Sequence, residues 1–210
     1  MKTYKKLLLT AVLGLTVGMT ALEIQARENS AQVAVESAAI NMMDFIKTQQ
    51  GLPEADTAQI ESMLTPIIDF DGIARAVMGK HRKVMSEDQK QAFNRVFKET
   101  MVNLYSKSLT EFAITAIDVK PIENQTDEKA AASMVVTEAS GKTYNVNYSL
   151  RNIDGNWMVR NVILDGVNMG LTYRNQFNSA MTQYGGDIEK VIASWNVTVN
   201  GNGHDGVATK

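Results

Sequence analysis

The sequence predicts an α+β chain in which about six or seven helices wrap a four-stranded, antiparallel, twisted sheet. Three observations carry this expectation. A capping box at Ser86-Glu87-Asp88-Gln89 opens a long amphipathic segment, the apolar period changes from helical to alternating after Leu109, and Ser140-Gly141 and Asp154-Gly155 supply hairpin turns between alternating segments.

Lys2, Lys5 and Lys6 precede an apolar run from Leu7 to Leu22, and Ile24-Gln25-Ala26 ends on a small residue, so residues 1–26 read as an export leader cut near Ala26. A membrane anchor is the alternative, but the run is short for one and is broken by Thr10, Gly14, Thr16 and Gly18. Residues 27–197 then form one domain, and 198–210 a flexible tail dominated by Asn200, Gly201, Asn202, Gly203 and Gly206.

Within the domain, Ser30 caps a first helix with an apolar stripe of Val33, Ala34, Ser37, Ala38, Ile40 and Phe45, ended by Gly51-Leu52-Pro53. Asp56 caps a short helix carrying Ile60 and Leu64, and Asp71 reads as the cap of a third that stops at Gly79. After the capping box, Phe93, Val96, Phe97, Met101, Leu104 and Tyr105 form one continuous helical face.

Four strands follow, at roughly 112–120, 130–138, 143–151 and 156–164. The third sets Tyr144, Val146, Tyr148 and Leu150 against Thr143, Asn145, Asn147 and Ser149, so the sheet has one apolar face that helices must cover. A helix from about Val167 to Tyr184 and another after Gly185-Gly186, capped by Asp187 with Ile188, Val191, Ile192 and Trp195 on its apolar side, complete the domain.

The whole chain has 210 residues and a formal charge of −2; losing the leader removes three lysines and Glu23, which leaves 18 basic and 22 acidic residues and a charge of −4. That balance argues against a nucleic-acid partner, which calls for a basic face. Without cysteine there is no disulfide to brace the fold and no thiolate for metal or nucleophilic work.

The material for catalysis is thin, and neither a catalytic nor a metal-binding set is expected. His81 sits in the basic connector Lys80-His81-Arg82-Lys83, where solvation is its expected fate, and His204 lies in the tail. Gly201-Asn202-Gly203-His204-Asp205-Gly206 matches GxGxxG in letters, but a dinucleotide site needs a strand before it and a helix after it. Asp69 and Asp71 could pair for acid–base chemistry; capping of the helix that follows is the simpler role. Ten methionines remain after the leader, suited to filling core or lining an adaptable pocket.

Three places in the chain resemble the MlaC (toluene-tolerance) family of periplasmic phospholipid carriers, together spanning about Val35 to Trp195. They are Asp69-Phe70-Asp71-Gly72-Ile73-Ala74-Arg75-Ala76-Val77-Met78-Gly79; the helix with Gln91, Phe93, Phe97, Leu104 and Tyr105; and the run Tyr148-Ser149-Leu150, Trp157, Val162, Asp165-Gly166-Val167 and Tyr173-Arg174-Asn175-Gln176-Phe177. Arg82, Asn161 and Asn168 depart from the family's usual tryptophan, aspartate and serine.

The resemblance implies an apolar cavity between sheet and helices, similar in part to the nuclear-transport-factor (NTF2-like) fold. It also implies a periplasmic shuttle that carries phospholipid, as cargo and without a cofactor. Its partners would be an outer-membrane lipoprotein–porin complex and an inner-membrane ABC transporter complex with its substrate-binding subunit, and its role the maintenance of outer-membrane lipid asymmetry. The expected lining is Val77 and Met78 on the early helix, Phe97, Met101 and Tyr105 on the long one, and Val146, Tyr148, Val159 and Ile163 on the sheet. Arg174 would meet a headgroup phosphate or form a salt bridge with Asp165 or Asp71. Two other classes compete: an NTF2-like enzyme, which needs an inward acid or histidine on the apolar strand face, and a periplasmic adaptor or chaperone with an apolar groove.

Overall fold

The computed structural model describes residues 30–49 and 56–202. The leader, the Gly51-Leu52-Pro53 stop, His204 and the part of the glycine-rich motif from Gly203 to Gly206 lie outside the described residues. Among those residues the chain forms six α-helices, a 3-10 turn and an open five-stranded antiparallel sheet.

Helix α1 spans Ala31–Gln49, and the Ser30 hydroxyl accepts the Val33 amide at 3.2 Å. Its buried stripe is Ala31, Val35, Ala39, Met42, Phe45 and Ile46, while Val33 and Ile40 are 41% and 61% exposed. The stripe expected from the sequence is therefore rotated: Val33 and Ile40 share the solvent face, and the small alanines face inward, where they allow the helix to approach the sheet closely. Helix α2, Thr57–Leu64, is capped by Asp56, which accepts the amides of Ala58 and Gln59 at 3.0 and 3.1 Å.

Helix α3 spans Phe70–Met78, and its cap is Asp69 rather than Asp71, with the Asp69 carboxylate accepting the Gly72 amide at 2.8 Å. The shift by two residues has a cause in the sheet, because the Asp69 amide donates to the Val159 carbonyl and the Val159 amide to the Ile67 carbonyl. Those two bonds hold residues 67–69 extended along the sheet edge, so the helix cannot begin earlier or later. Gly79 ends α3 at a φ of 52°, and Gly79–Lys83 continue as a 3-10 turn.

The Ser86–Gln89 capping box is formed, and it opens α4, Glu87–Glu111. At 1.5 Å per residue this 25-residue helix is about 37 Å long.

The strands are β1 (Ile114–Val119), β2 (Lys129–Glu138), β3 (Thr143–Ile153), β4 (Asn156–Leu164) and β5 (Val167–Asn168), each paired with the next. The fifth, only two residues long, is the one the sequence reading assigned to the following helix. It arises because Asp165 and Gly166 both adopt positive φ, 45° and 83°, as Asp154 and Gly155 do at 51° and 87°, the geometry of a two-residue hairpin turn. Helix α5 therefore starts at Met169, with Asn168 accepting the Leu171 amide at 3.0 Å, and runs to Gln183. Helix α6, Ile188–Asn202, continues past Thr198, where the sequence expects the tail to begin.

The interior has three parts. One is purely helical, with Phe93, Phe97, Phe177 and Trp195 at its centre. A second lies on the apolar face of the sheet under the N-terminal half of α1. The third joins the C-terminal half of α1 to α2, α3 and the middle of α4. Helix α1 approaches β1 and β2, and α3 and α5 approach β4, whereas α4 packs on α2, α3 and α6 and comes comparably close to no strand.

Candidate functional site

Burial alternates along β3 as the sequence predicts, with Val146 and Leu150 buried and Asn145, Asn147 and Ser149 exposed. Across the ladder Tyr148 stands between Ala132 on β2 and Val162 on β4, and Val146 between Met134 and Leu164.

Strand β4 does not keep a simple alternation. Leu150 pairs with Val159 but Ser149 pairs with Asn161, so Arg160 is an extra residue, a bulge. It puts Trp157 and Val159 on the apolar face before the bulge and Val162 and Leu164 after it. Ile163, expected on that face, pairs with Asn147 and lies on the opposite one. A two-residue period carried from Val159 cannot anticipate this; Val162 and Leu164 are the apolar-face residues that sequence reasoning misses.

The bulge aims Arg160 at Asp69, and the two form an ion pair. A Cβ on Gly72 would collide with both, which is why glycine stands there. Asn161 accepts the Gly170 amide at 3.1 Å, the bond an aspartate would make at that place, and so anchors the start of α5. Asp71 accepts from Asn94 at 3.2 Å, so the two acids of the motif have separate structural partners.

Val77, Met78 and Phe97 belong to the helical core at 0%, 1% and 1% exposure. In this structure their side chains are sealed within that core, apart from the sheet face where the other expected lining residues lie. Phe97 is enclosed by Phe93, Tyr173 and Trp195, at ring centroid separations of 5.9, 6.0 and 6.4 Å. Helix periodicity puts Phe97 and Met101 on one face, but their neighbours differ: Met101 lies where the helical core meets the cluster of α1, α2 and α4.

Tyr105 lies in that same cluster, one turn beyond Met101, and Tyr148 in the sheet cluster, with Ile117 packed against both clusters. Burial pushes the Tyr105 hydroxyl up to about 12, and burial reinforced by the nearby Tyr105 pushes the Tyr148 hydroxyl up as well. Neither phenol makes a hydrogen bond within the described residues. Among the described residues the sealed and unpartnered side-chain atoms are Asn94 Oδ1, Gln176 Oε1 and Trp195 Nε1; the two phenol oxygens are not among them, because each keeps accessible surface. Both tyrosines thus lie deep in the protein and still keep accessible surface. Met101, Val159, Val162, Leu164, Ile117 and Val136 are likewise half-buried and apolar, and they surround the two tyrosines on α4 and the sheet.

Arg174 is exposed and forms no ion pair among the described residues, so the salt bridge to Asp165 or Asp71 is not made. Its Nε would lie 2.9 Å from a Cβ on Gly79, and the guanidinium stays free for an anion. His81, expected to be solvated, is half-buried instead and bonds to Asn178 Oδ1 at 2.9 Å. Among the described residues no group of His, Asp and Glu could hold a metal ion. A separate open groove of about 620 Å³ lies between α2 and α4, lined by Ala58, Glu61, Ser62, Thr65, Pro66 and Lys98, and touches none of the expected lining residues.

The model of the MlaC protein family matches residues 36–197. The chain belongs to the MlaC family. Within it, the chain is 36% identical over 144 residues to the toluene tolerance protein ttg2D of Pseudomonas putida, an alignment covering 68% of this chain and 67% of the relative. Its fold matches that of a phospholipid-binding protein from Ralstonia solanacearum, solved in complex with a phospholipid, with a TM-score of 0.71 over 81% of this chain and 99% of the other at 20% identity. The acidic-aromatic-acidic segment that suggested MlaC kinship thus works here as a clamp: it caps α3, lies along the sheet edge and pairs with the bulged Arg160.

Proposed function

We propose that this MlaC-family chain binds one phospholipid with its acyl tails in the interior space between α4 and the sheet. Met101, Tyr105, Val146, Tyr148, Val159, Val162 and Leu164 then form the lining. The observation that carries the reading is the set of half-buried apolar side chains that accompany two phenols without a hydrogen bond among the described residues. The toluene-tolerance relative and the phospholipid-bound structural neighbour support it.

Enclosure suits such a cargo. Two tails hold roughly 30 methylenes, and at about 0.8 kcal/mol each their exposure costs on the order of 24 kcal/mol, more than a shallow groove can shield. The chain acts as a carrier rather than an enzyme: on β3 the inward positions hold Tyr144, Val146, Tyr148 and Leu150, and no acid or histidine that acid–base chemistry requires.

With its leader removed the protein works in the periplasm as a shuttle between an outer-membrane complex and an inner-membrane ABC transporter, which supplies the energy, and so preserves lipid asymmetry. No helix among the described residues is long and apolar enough to cross a membrane. Arg174 is available to an anionic headgroup or partner. The test is to purify the leaderless protein without detergent, extract it into organic solvent and weigh the extract by mass spectrometry. Phospholipid near one per chain is the expected result; a chain that holds none, even after incubation with vesicles, refutes the reading.

A further inference from the structure

Tails alone leave two groups of the interior unanswered. Tyr105 on α4 and Tyr148 on β3 lie near enough for a charge on one to act on the other, and neither hydroxyl makes a hydrogen bond among the described residues. A methylene chain laid against them would desolvate both phenols and return nothing. The cargo needs an acceptor at that depth.

A phospholipid offers two kinds of acceptor, the phosphate and the acyl ester carbonyls. The surroundings decide between them. Met101, Val146, Val159, Val162 and Leu164 are apolar, and no cation acts on either phenol: burial alone raises Tyr105, and burial with the neighbouring Tyr105 raises Tyr148. A phosphate there would be a buried, unpaired charge, whereas a carbonyl is a neutral acceptor at no such cost. Burial raises both phenols, so both remain protonated donors at any physiological pH.

We propose that Tyr105 and Tyr148 form an ester subsite, donating hydrogen bonds to the acyl carbonyls of the cargo. The protein then prefers diacyl lipids over dialkyl ether lipids of the same headgroup and chain length. This inference rests on the phospholipid reading and goes beyond it, since apolar enclosure by itself cannot distinguish an ester from an ether.

The experiment incubates the purified protein with vesicles holding equal amounts of diacyl and dialkyl-ether phosphatidylglycerol, re-isolates it and determines both lipids by mass spectrometry. The wild type is expected to enrich the diacyl lipid roughly fivefold or more, as one or two net hydrogen bonds provide. The Y105F/Y148F double variant, which keeps both rings, is expected to take up the diacyl and the ether lipid in near equal amounts. Equal uptake by the wild type, or an undiminished preference in the double variant, overturns the subsite while total uptake leaves the carrier reading standing. Uptake of neither lipid refutes the carrier reading and the subsite with it.

Discussion

Tyr105 on α4 and Tyr148 on β3 lie near enough for a charge on one to oppose a charge on the other, although 43 positions separate them in sequence and they belong to different apolar clusters. The alkaline behaviour of the protein follows from that pair. The ordinary phenol value is 10.0 and Tyr105 is raised to about 12, so the unfolded chain loses this proton first. Stability linked to the neutral phenol is complete below pH 10, and it drains away as the pH rises toward 12. Urea midpoints measured across that window should fall for the wild type and fall less for Tyr105→Phe. An equal decline in both would show that Tyr105 is not protected.

The bulge in β4 sends two neighbouring residues, Ile163 and Leu164, to the opposite faces from those a plain alternation predicts. Leu164→Asp or Val146→Asp puts a charge on the apolar face proposed to meet the lipid, and lipid per chain should drop by roughly tenfold, in line with the cost of a buried unpaired charge. Ile163→Thr alters the other face, and retention should stay within about a factor of two. Circular dichroism should remain native in a variant used for this comparison. Loss of lipid in Ile163→Thr equal to that in Leu164→Asp would contradict the register.

Gly72 sits where Asp69, Arg160 and the first turn of α3 converge. Gly72→Ala must push the ion pair apart and should lower stability by about 2–4 kcal/mol, the range for breaking a partly buried charge pair. Ala76→Gly, an exposed change inside the same helix, should cost only about 1 kcal/mol. Denaturant titration of both variants measures the difference, and similar losses would mean that the clamp contributes little.

Phe97 and Met101 differ although they lie one turn apart. Phe97→Ala opens a hole in the aromatic core and should cost about 3–5 kcal/mol in thermal or chemical unfolding. Met101→Trp narrows the interior space instead, and its main effect should be several-fold weaker lipid retention with a smaller stability loss. A Phe97→Ala variant as stable as the wild type would show that this core is not filled as the ring contacts imply.

Much of this protein is written locally. The Ser86 box, the Asp56 cap, the Asp154-Gly155 hairpin and the alternation of Tyr144, Val146, Tyr148 and Leu150 each depend on a few adjacent residues, and the structure shows them where the sequence puts them. The family likeness is equally readable, because it consists of such local motifs in a fixed order. The stripe of α1 is less so: Val33 and Ile40 are apolar enough to suggest an inner face, yet the closely packed alanines win because the sheet lies near.

What tertiary structure alone decided is which apolar residues fill and which surround. Phe97 and Tyr105 share one helical face in the sequence, but only the first meets Phe93, Tyr173 and Trp195 on every side. Residue 160 carries no signal that it is the extra one in β4; the edge bonds of residues 67–69 and the pull of Asp69 select it, and so turn Ile163 outward and Val162 and Leu164 inward. Apolar side chains specify burial, whereas leaving a hollow depends on how far apart a sheet and a helix are held, and that distance is set by contacts made elsewhere in the fold.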